Sequence, residues 1–364
     1  MLAIPMDRST ALTWSWLNIL NAKRLEALLH VYGDLTKALE QLDESLLKEL
    51  GCRNDTVYAT LNRLEEFDPQ SYEQELKKRE LSFVTIDDPE YPQQLREIPD
   101  APIFLYWRGD LTILEQPCLA LVGTREMSDY GRRVTESFVP EFVRAGMVTV
   151  SGLALGVDAT VARETLSAGG RTVAVLGHGL GKIYPRENAR LAEEIIAGGG
   201  LILSEFPLDT EPGKFTFPAR NRIIAGLSLG TVVLEAGDGS GALITADLAL
   251  DYSREVFAVP GQIFDPNFIG CHKILSRGHA KLVSSAVDVL SELGVIALEA
   301  ARSSYNPRDA AEAALLKVLT TMPQTVDTLV ERSGLTASHI ASALTMMELC
   351  GAVKQAGNGN WVRR

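Results

Sequence analysis

From Cys118 onward the chain alternates between two hydrophobic rhythms. Short apolar runs stand at 118–122, 147–151, 171–176, 200–204, 230–235, 255–259 and 280–283. Segments 129–145, 158–168, 187–197, 220–228, 241–252 and 270–277 lie between them and read as helices, the first of them amphipathic. Runs such as Cys118–Val122 have the composition of strands buried in a parallel sheet. Their strict alternation with helices predicts an α/β fold, a doubly wound parallel sheet with helices on both faces. Loops at the carboxyl ends of such strands converge on one crevice, where ligands bind.

The flanks have other rhythms. Residues 10–80 read as helices at Ala11–Leu20, Lys23–Tyr32, Leu35–Leu42, Glu44–Leu50, Thr56–Glu66 and Pro69–Arg79, punctuated by Gly33 and Gly51. The pattern resembles a small module of the helix-hairpin-helix or SAM-like type. Leu81–Ile86 and Ile103–Trp107 read as strands. After Leu293 the small, polar stretch Ala300–Pro307 predicts a linker. Helices at Ala310–Thr320, Val326–Ser333 and Ala337–Leu349, then a ribbon ending at Trp361, have winged-helix spacing. The expected domains are thus 1–80, 81–297 and 310–364, with a linker at 298–309. Ala337–Leu349 holds no Lys or Arg, so base reading in a major groove is poorly served, and an interaction or structural role is expected.

Composition adds limits. No apolar run is long enough to span a bilayer, and Met1–Thr10 lacks the regions of a signal peptide. Cys52, Cys118, Cys271 and Cys350 form no Cys-x-x-Cys pair and read as reduced core residues of a cytoplasmic protein. The five histidines have no metal spacing, so no metal or other cofactor is expected. The net charge of −12 opposes broad attraction to nucleic acid. Its distribution matters more: residues 1–117 carry 12 Lys and Arg against 21 Asp and Glu, whereas residues 118–290 carry 16 against 19. A cationic groove in the middle region remains open.

The loops themselves supply one. The first apolar run of the core delivers Gly123, Thr124 and Arg125, and Ser128 and Asp129 offer caps to the next helix. A Gly-containing turn between strand and helix presents free amides to an anion, and the planar fork of Arg125 suits a phosphate. Later loops bring Lys182, Arg186, Lys214, Arg220 and Arg222, with Tyr184, Phe215 and Phe217 as exposed aromatics. One or two cations suffice for a mononucleotide; six over several loops suit a polyanion. Cations interleaved with rings make a groove for single strands, phosphates on Arg and Lys and bases on rings. Asn221 has a structural alternative as a cap of the following helix, and His178 reads as a turn residue.

These residues also carry a resemblance. Val122-Gly123-Thr124-Arg125, Ser151-Gly152-Leu153-Ala154, Gly156-Val157-Asp158 and Tyr184-Pro185-x-x-Asn188 are similar to motifs of the DNA-processing protein A family (DprA, also called Smf). So are Ser204-Glu205-Phe206-Pro207, Phe217-Pro218-x-Arg220-Asn221-Arg222-Ile223-Ile224-Ala225-Gly226 and Ala258-Val259-Pro260-Gly261. The likeness covers about residues 81–290. It implies an extended Rossmann-like domain and a homodimer formed through it. It also implies a non-catalytic protein that binds and protects incoming single-stranded DNA and loads the RecA recombinase during natural transformation. Strand contact carries over to Gly123, Thr124, Arg125, Lys214, Phe217, Arg220 and Asn221. Two positions depart from the family pattern: Leu155 stands where Arg is usual, and Ala162 where His is frequent. The alternative is a nucleotide-binding enzyme, since the Gly237–Ser240 loop is similar to that of "lonely guy" phosphoribohydrolases. Those enzymes place a carboxylate shortly after the loop, where this chain has Ala242 and Leu243.

Overall fold

The chain opens with six helices, α1 (Arg8–Leu17), α2 (Ala22–Tyr32), α3 (Leu35–Glu40), α4 (Glu44–Glu49), α5 (Asn54–Glu66) and α6 (Pro69–Lys78). Their starts are set by side chains: Asp7, Asn21, Asp34 and Asp43 each accept a hydrogen bond from an amide in the first turn of α1 to α4. Strand β1 (Ser82–Thr85), helix α7 (Gln93–Arg96) and strand β2 (Phe104–Gly109) follow. The computed structural model describes residues 4, 6–295, 307–320, 324–350, 352–356 and 359–363. It divides into two compact units, Met1–Ala297 and Leu298–Arg364. The expected linker falls largely outside the described residues.

The core strands are β3 (Cys118–Gly123), β4 (Val148–Ser151), β5 (Thr172–Val175), β6 (Leu201–Ser204), β7 (Gly230–Glu235), β8 (Glu255–Ala258) and β9 (Lys281–Leu282). Between and after them run α8 (Asp129–Arg144), α9 (Val157–Ser167), α10 (Ala189–Ala197), α11 (Thr216–Gly226), α12 (Gly241–Asp251), α13 (Ile269–Ser276) and α14 (Ala286–Glu292). The sheet order is β1-β2-β6-β5-β4-β3-β7-β8-β9. Strands β3 to β9 pair in parallel, which confirms the doubly wound α/β core. The outer pair is a correction to a wholly parallel sheet: β2 runs antiparallel to β6, and β1 to β2. The winding reverses at β3, which has β4 on one side and β7 on the other. That reversal opens a crevice at the carboxyl ends of β3 and β7.

The helical segment shares its core with the sheet, so position 80/81 is not a break in packing. Trp14 is buried and donates its Nε1 hydrogen to the Leu35 carbonyl at 3.0 Å. The hydroxyls of Ser15 and Tyr106 lie 2.7 Å apart, and the Tyr72 ring meets that of Tyr106 edge-on. Tyr72 Oη also accepts a hydrogen bond from the Leu208 amide at 3.0 Å. One further expectation is corrected: Cys52, Cys118 and Cys271 are buried free thiols, but Cys350 is exposed. Burial pushes the Cys118 and Cys271 thiols up to about 12.

The second unit is a winged-helix domain: α15 (Ala310–Val318), β10 (Gln324–Thr325), α16 (Val326–Ser333), α17 (Ala337–Leu349), β11 (Val353–Gln355) and β12 (Asn360–Arg363). Its small sheet has the order β10-β12-β11, and Leu315, Leu329, Ile340, Leu344 and Met347 form its core. No described helix is long and apolar enough to cross a membrane.

Candidate nucleic-acid interface

The turn after β3 is fixed at three points. The Thr124 amide donates to the Glu235 carbonyl at 2.8 Å, and its carbonyl accepts from Val157 N at 3.1 Å. Its hydroxyl accepts from the Glu126 amide at 3.1 Å. Glu235 is buried at the end of β7, where its carboxylate accepts from the amide and hydroxyl of Ser128, the residue that caps α8. Burial pushes that carboxyl up, and the Ser128 hydrogen bonds oppose the shift. Arg125 therefore projects from a braced turn.

A crevice of about 550 Å³ lies at this switch point. Gly123, Thr124 and Arg125 form one wall, and the Gly237–Gly241 loop, which enters α12, forms another. Lys214, Phe217, Arg220 and Asn221 come from the segment entering α11. The Arg125 guanidinium sits over the Phe217 ring, 5.1 Å from its centroid. Arg125 and Lys214 are exposed, and neither has an ion-pair partner among the described residues. The crevice thus offers two cations outside any ion pair beside one half-buried ring, with the Gly237–Gly241 loop as another wall.

Arg220 differs. Only 6% exposed, it lies under the crevice, 3.9 Å from the buried Asp158 carboxylate. It donates to the carbonyl of Gly152 at 2.7 Å and to that of Val175. Its Nε donates to Asn221 Oδ1 at 2.9 Å, and Asn221 Nδ2 in turn donates to the Gly241 carbonyl at 3.3 Å. Burial pushes the Asp158 carboxyl up, while Arg220 and the amides of Ala154 and Gly152 pull it back. Arg220 and Asn221 thus bind β4, β5, α11 and α12 together from below. Asn221 is no helix cap, because α11 starts at Thr216 and not near residue 220. Pro218 is accommodated because first-turn amides have no intrahelical partner to lose.

Three other expected cations lie elsewhere. Lys182 and Arg186 line an adjoining cavity of about 540 Å³, where Lys182 Nζ is 3.7 Å from Glu211. Tyr184, on the wall of that cavity, meets Phe217 with centroids 6.1 Å apart, so a pair of rings stands between the two spaces. Arg222 leaves α11 in another direction. It pairs with Glu205 and lies 3.8 Å from Asp100, in a cavity against the N-terminal helices. Phe215 is 89% exposed beside Lys214.

Residues 82–294 match the family described as DNA recombination-mediator protein A, and residues 299–359 match the DprA winged helix domain. The chain belongs to the DNA recombination-mediator protein A family. It is 43% identical over 242 residues to the DNA processing protein DprA of Streptococcus pneumoniae, covering 66% of this chain and 83% of the relative. It is 33% identical to the protein Smf of Synechocystis, covering 97% of this chain and 98% of that one. The crystal structure of the S. pneumoniae DprA superposes with a TM-score of 0.66 at 37% identity, covering 79% of this chain and 99% of that one. DNA processing protein A of Helicobacter pylori, described for its single-stranded DNA binding mode, gives a TM-score of 0.53 at 31% identity, over 58% of this chain and 95% of that one.

Within this recombination-mediator fold the two departures differ in consequence. Leu155 is 44% exposed, so an apolar side chain meets solvent there. Ala162 is buried in the core between α9 and its neighbours, so the change there is one of packing. Sequence reasoning missed Asn267, which reaches the crevice from the loop before α13. No local motif marks it; only the parallel order of β3, β7 and β8 brings that loop over. Gly156, quoted above only within a motif, has a role the sequence did not show. Its φ is +73°, and a Cβ there would come within 2.4 Å of the Thr124 carbonyl and 2.6 Å of that of Arg125. Gly156→Ala is expected to lower stability by about 1–2 kcal/mol for the left-handed backbone alone and to displace Arg125. Gly146, at φ +77° with open space around it, is the control. Gly146→Ala should lose only the backbone part of that stability in urea and keep wild-type oligonucleotide affinity.

Proposed function

We propose that the β3–β7 crevice binds single-stranded DNA and that the chain acts as a cytoplasmic recombination mediator. The observation that carries this reading is the pairing of two cations outside any ion pair among the described residues, Arg125 and Lys214, with the Phe217 ring in one crevice. Arg125 and Lys214 take backbone phosphates, with the Gly237–Gly241 loop as another wall of the crevice. Phe217 takes an unpaired base, which a duplex keeps stacked and paired. Arg220 and Asn221 hold the floor. Family membership and the H. pylori relative support strand binding by this chain. We propose further, from what the sequence resemblance implies, that the mediator protects incoming strands, hands them to the RecA recombinase in natural transformation, and works as a homodimer.

The crevice acts here as a binding surface and not as a catalytic centre. The place where a phosphoribohydrolase needs its acid is held by Ala242, on the crevice wall, and Leu243. The test is a fluorescence-anisotropy titration of the full chain with single-stranded and duplex oligonucleotides of one sequence at several salt concentrations, with a nucleoside 5′-monophosphate hydrolysis assay alongside. Tighter binding of the single strand, falling steeply with salt, is expected. Equal affinity for both forms, or release of base from the monophosphate, would reject the reading.

A further inference from the structure

We infer that the cavity beyond the Tyr184–Phe217 pair takes an unstacked nucleobase and not a backbone phosphate; this rests on the single-strand reading above. The first ground is charge. Lys182 and Arg186 on its rim are matched by Asp209 and Glu211, and Lys182 already lies 3.7 Å from Glu211. A phosphate placed here would gain two cations and face two carboxylates. A base edge is neutral and carries donors and acceptors side by side, which is what this lining offers.

The second ground is the wall. Tyr184 is 47% exposed, and its ring lies 6.1 Å from Phe217 on the crevice side and 6.4 Å from His178 on the cavity side. A strand whose phosphates rest on Arg125 and Lys214 meets Phe217 and then Tyr184 as it leaves the crevice. An exposed ring at that point is a stacking surface.

The third ground is that the cavity is held open. The Gly179 amide donates to the Thr210 carbonyl and the Gly181 amide to the Leu208 carbonyl, both at 2.9 Å. A Cβ on Gly179 would come within 2.0 Å of the Pro207 carbonyl, so only glycine permits this approach. His178 is buried with Nδ1 2.8 Å from the Gly179 carbonyl, and its ring packs edge-on against that of Tyr184. At about 540 Å³ the space is of small-ligand size. Little rearrangement is left for binding to bring about.

The test compares wild type with Tyr184→Leu, Tyr184→Phe and the double variant Lys182→Ala/Arg186→Ala, titrating oligo-dT, oligo-dA and an abasic oligomer across salt concentrations. Tyr184→Leu is expected to weaken dT and dA binding roughly 5- to 100-fold with an unchanged salt slope. It should leave the abasic oligomer unaffected, and Tyr184→Phe should restore the loss. The double variant should change the ratio of dT to dA affinity while the slope stays fixed. Unchanged affinity in Tyr184→Leu overturns the inference. So does a slope lowered by about two in the double variant, which would make the cavity a phosphate site. Arg125→Ala separates the two readings. If it weakens every oligomer while Tyr184→Leu weakens none, only the base cavity falls; if it weakens none, the crevice reading falls as well.

Discussion

Arg125→Ala is expected to weaken single-strand binding about ten- to hundredfold, the loss of a hydrogen-bonded contact to a charged group. Arg125 is in no ion pair among the described residues and stands over Phe217, so its removal takes away a phosphate partner and a cation that orders the stacking ring. The salt slope should fall by about one, uniformly across sequences. Lys214→Ala should lower the slope by the same amount with a smaller loss of affinity, because Lys214 is an exposed point charge without a ring to order. Anisotropy titrations over a range of salt check both. An unchanged slope in both variants would place the phosphates elsewhere.

Arg220→Ala should act on a different quantity. Its removal leaves Asp158 as a buried charge without its partner and frees the carbonyls of Gly152 and Val175. Breaking such a pair costs about 3–5 kcal/mol, read as a lower urea midpoint at constant m-value. Asp158→Asn in the same background should recover part of the loss, since the uncompensated charge is gone. Intact stability with lost strand binding would instead make Arg220 a direct contact. The two Arg→Ala variants therefore separate a residue that touches the strand from one that positions those that do.

The alternation of apolar runs with helical segments made the doubly wound core legible, because each buried parallel strand is a short run with no polar face. The direction of β1 and β2 was not legible, since an apolar run reads alike whichever way its neighbour runs. Gly123–Arg125 could be placed because a strand leading into a turn and then a capped helix has one geometry. The segment entering α11 could not. Read as a loop running into a helix only at residue 220, it makes Arg220 and Arg222 equivalent strand cations; as a helix from Thr216, it sets them about 200° apart. Phe217, Arg220, Asn221 and Ile224 then share the crevice face at helical spacing, and Arg222 turns to Glu205. Burial of Arg220 was hidden for a related reason. Its partner Asp158 is sixty-two positions away in sequence, and only the packing of α9 beside α11 reveals the pair.

The Tyr72 hydroxyl holds the Leu208 amide, and Leu208 in turn holds Gly181 at the cavity rim. The N-terminal helices are therefore a buttress for a loop more than a hundred residues downstream. The family match begins at residue 82, but the compact unit begins well before it. A fragment cut at that point would strip the support from its own base cavity while keeping every residue that lines it.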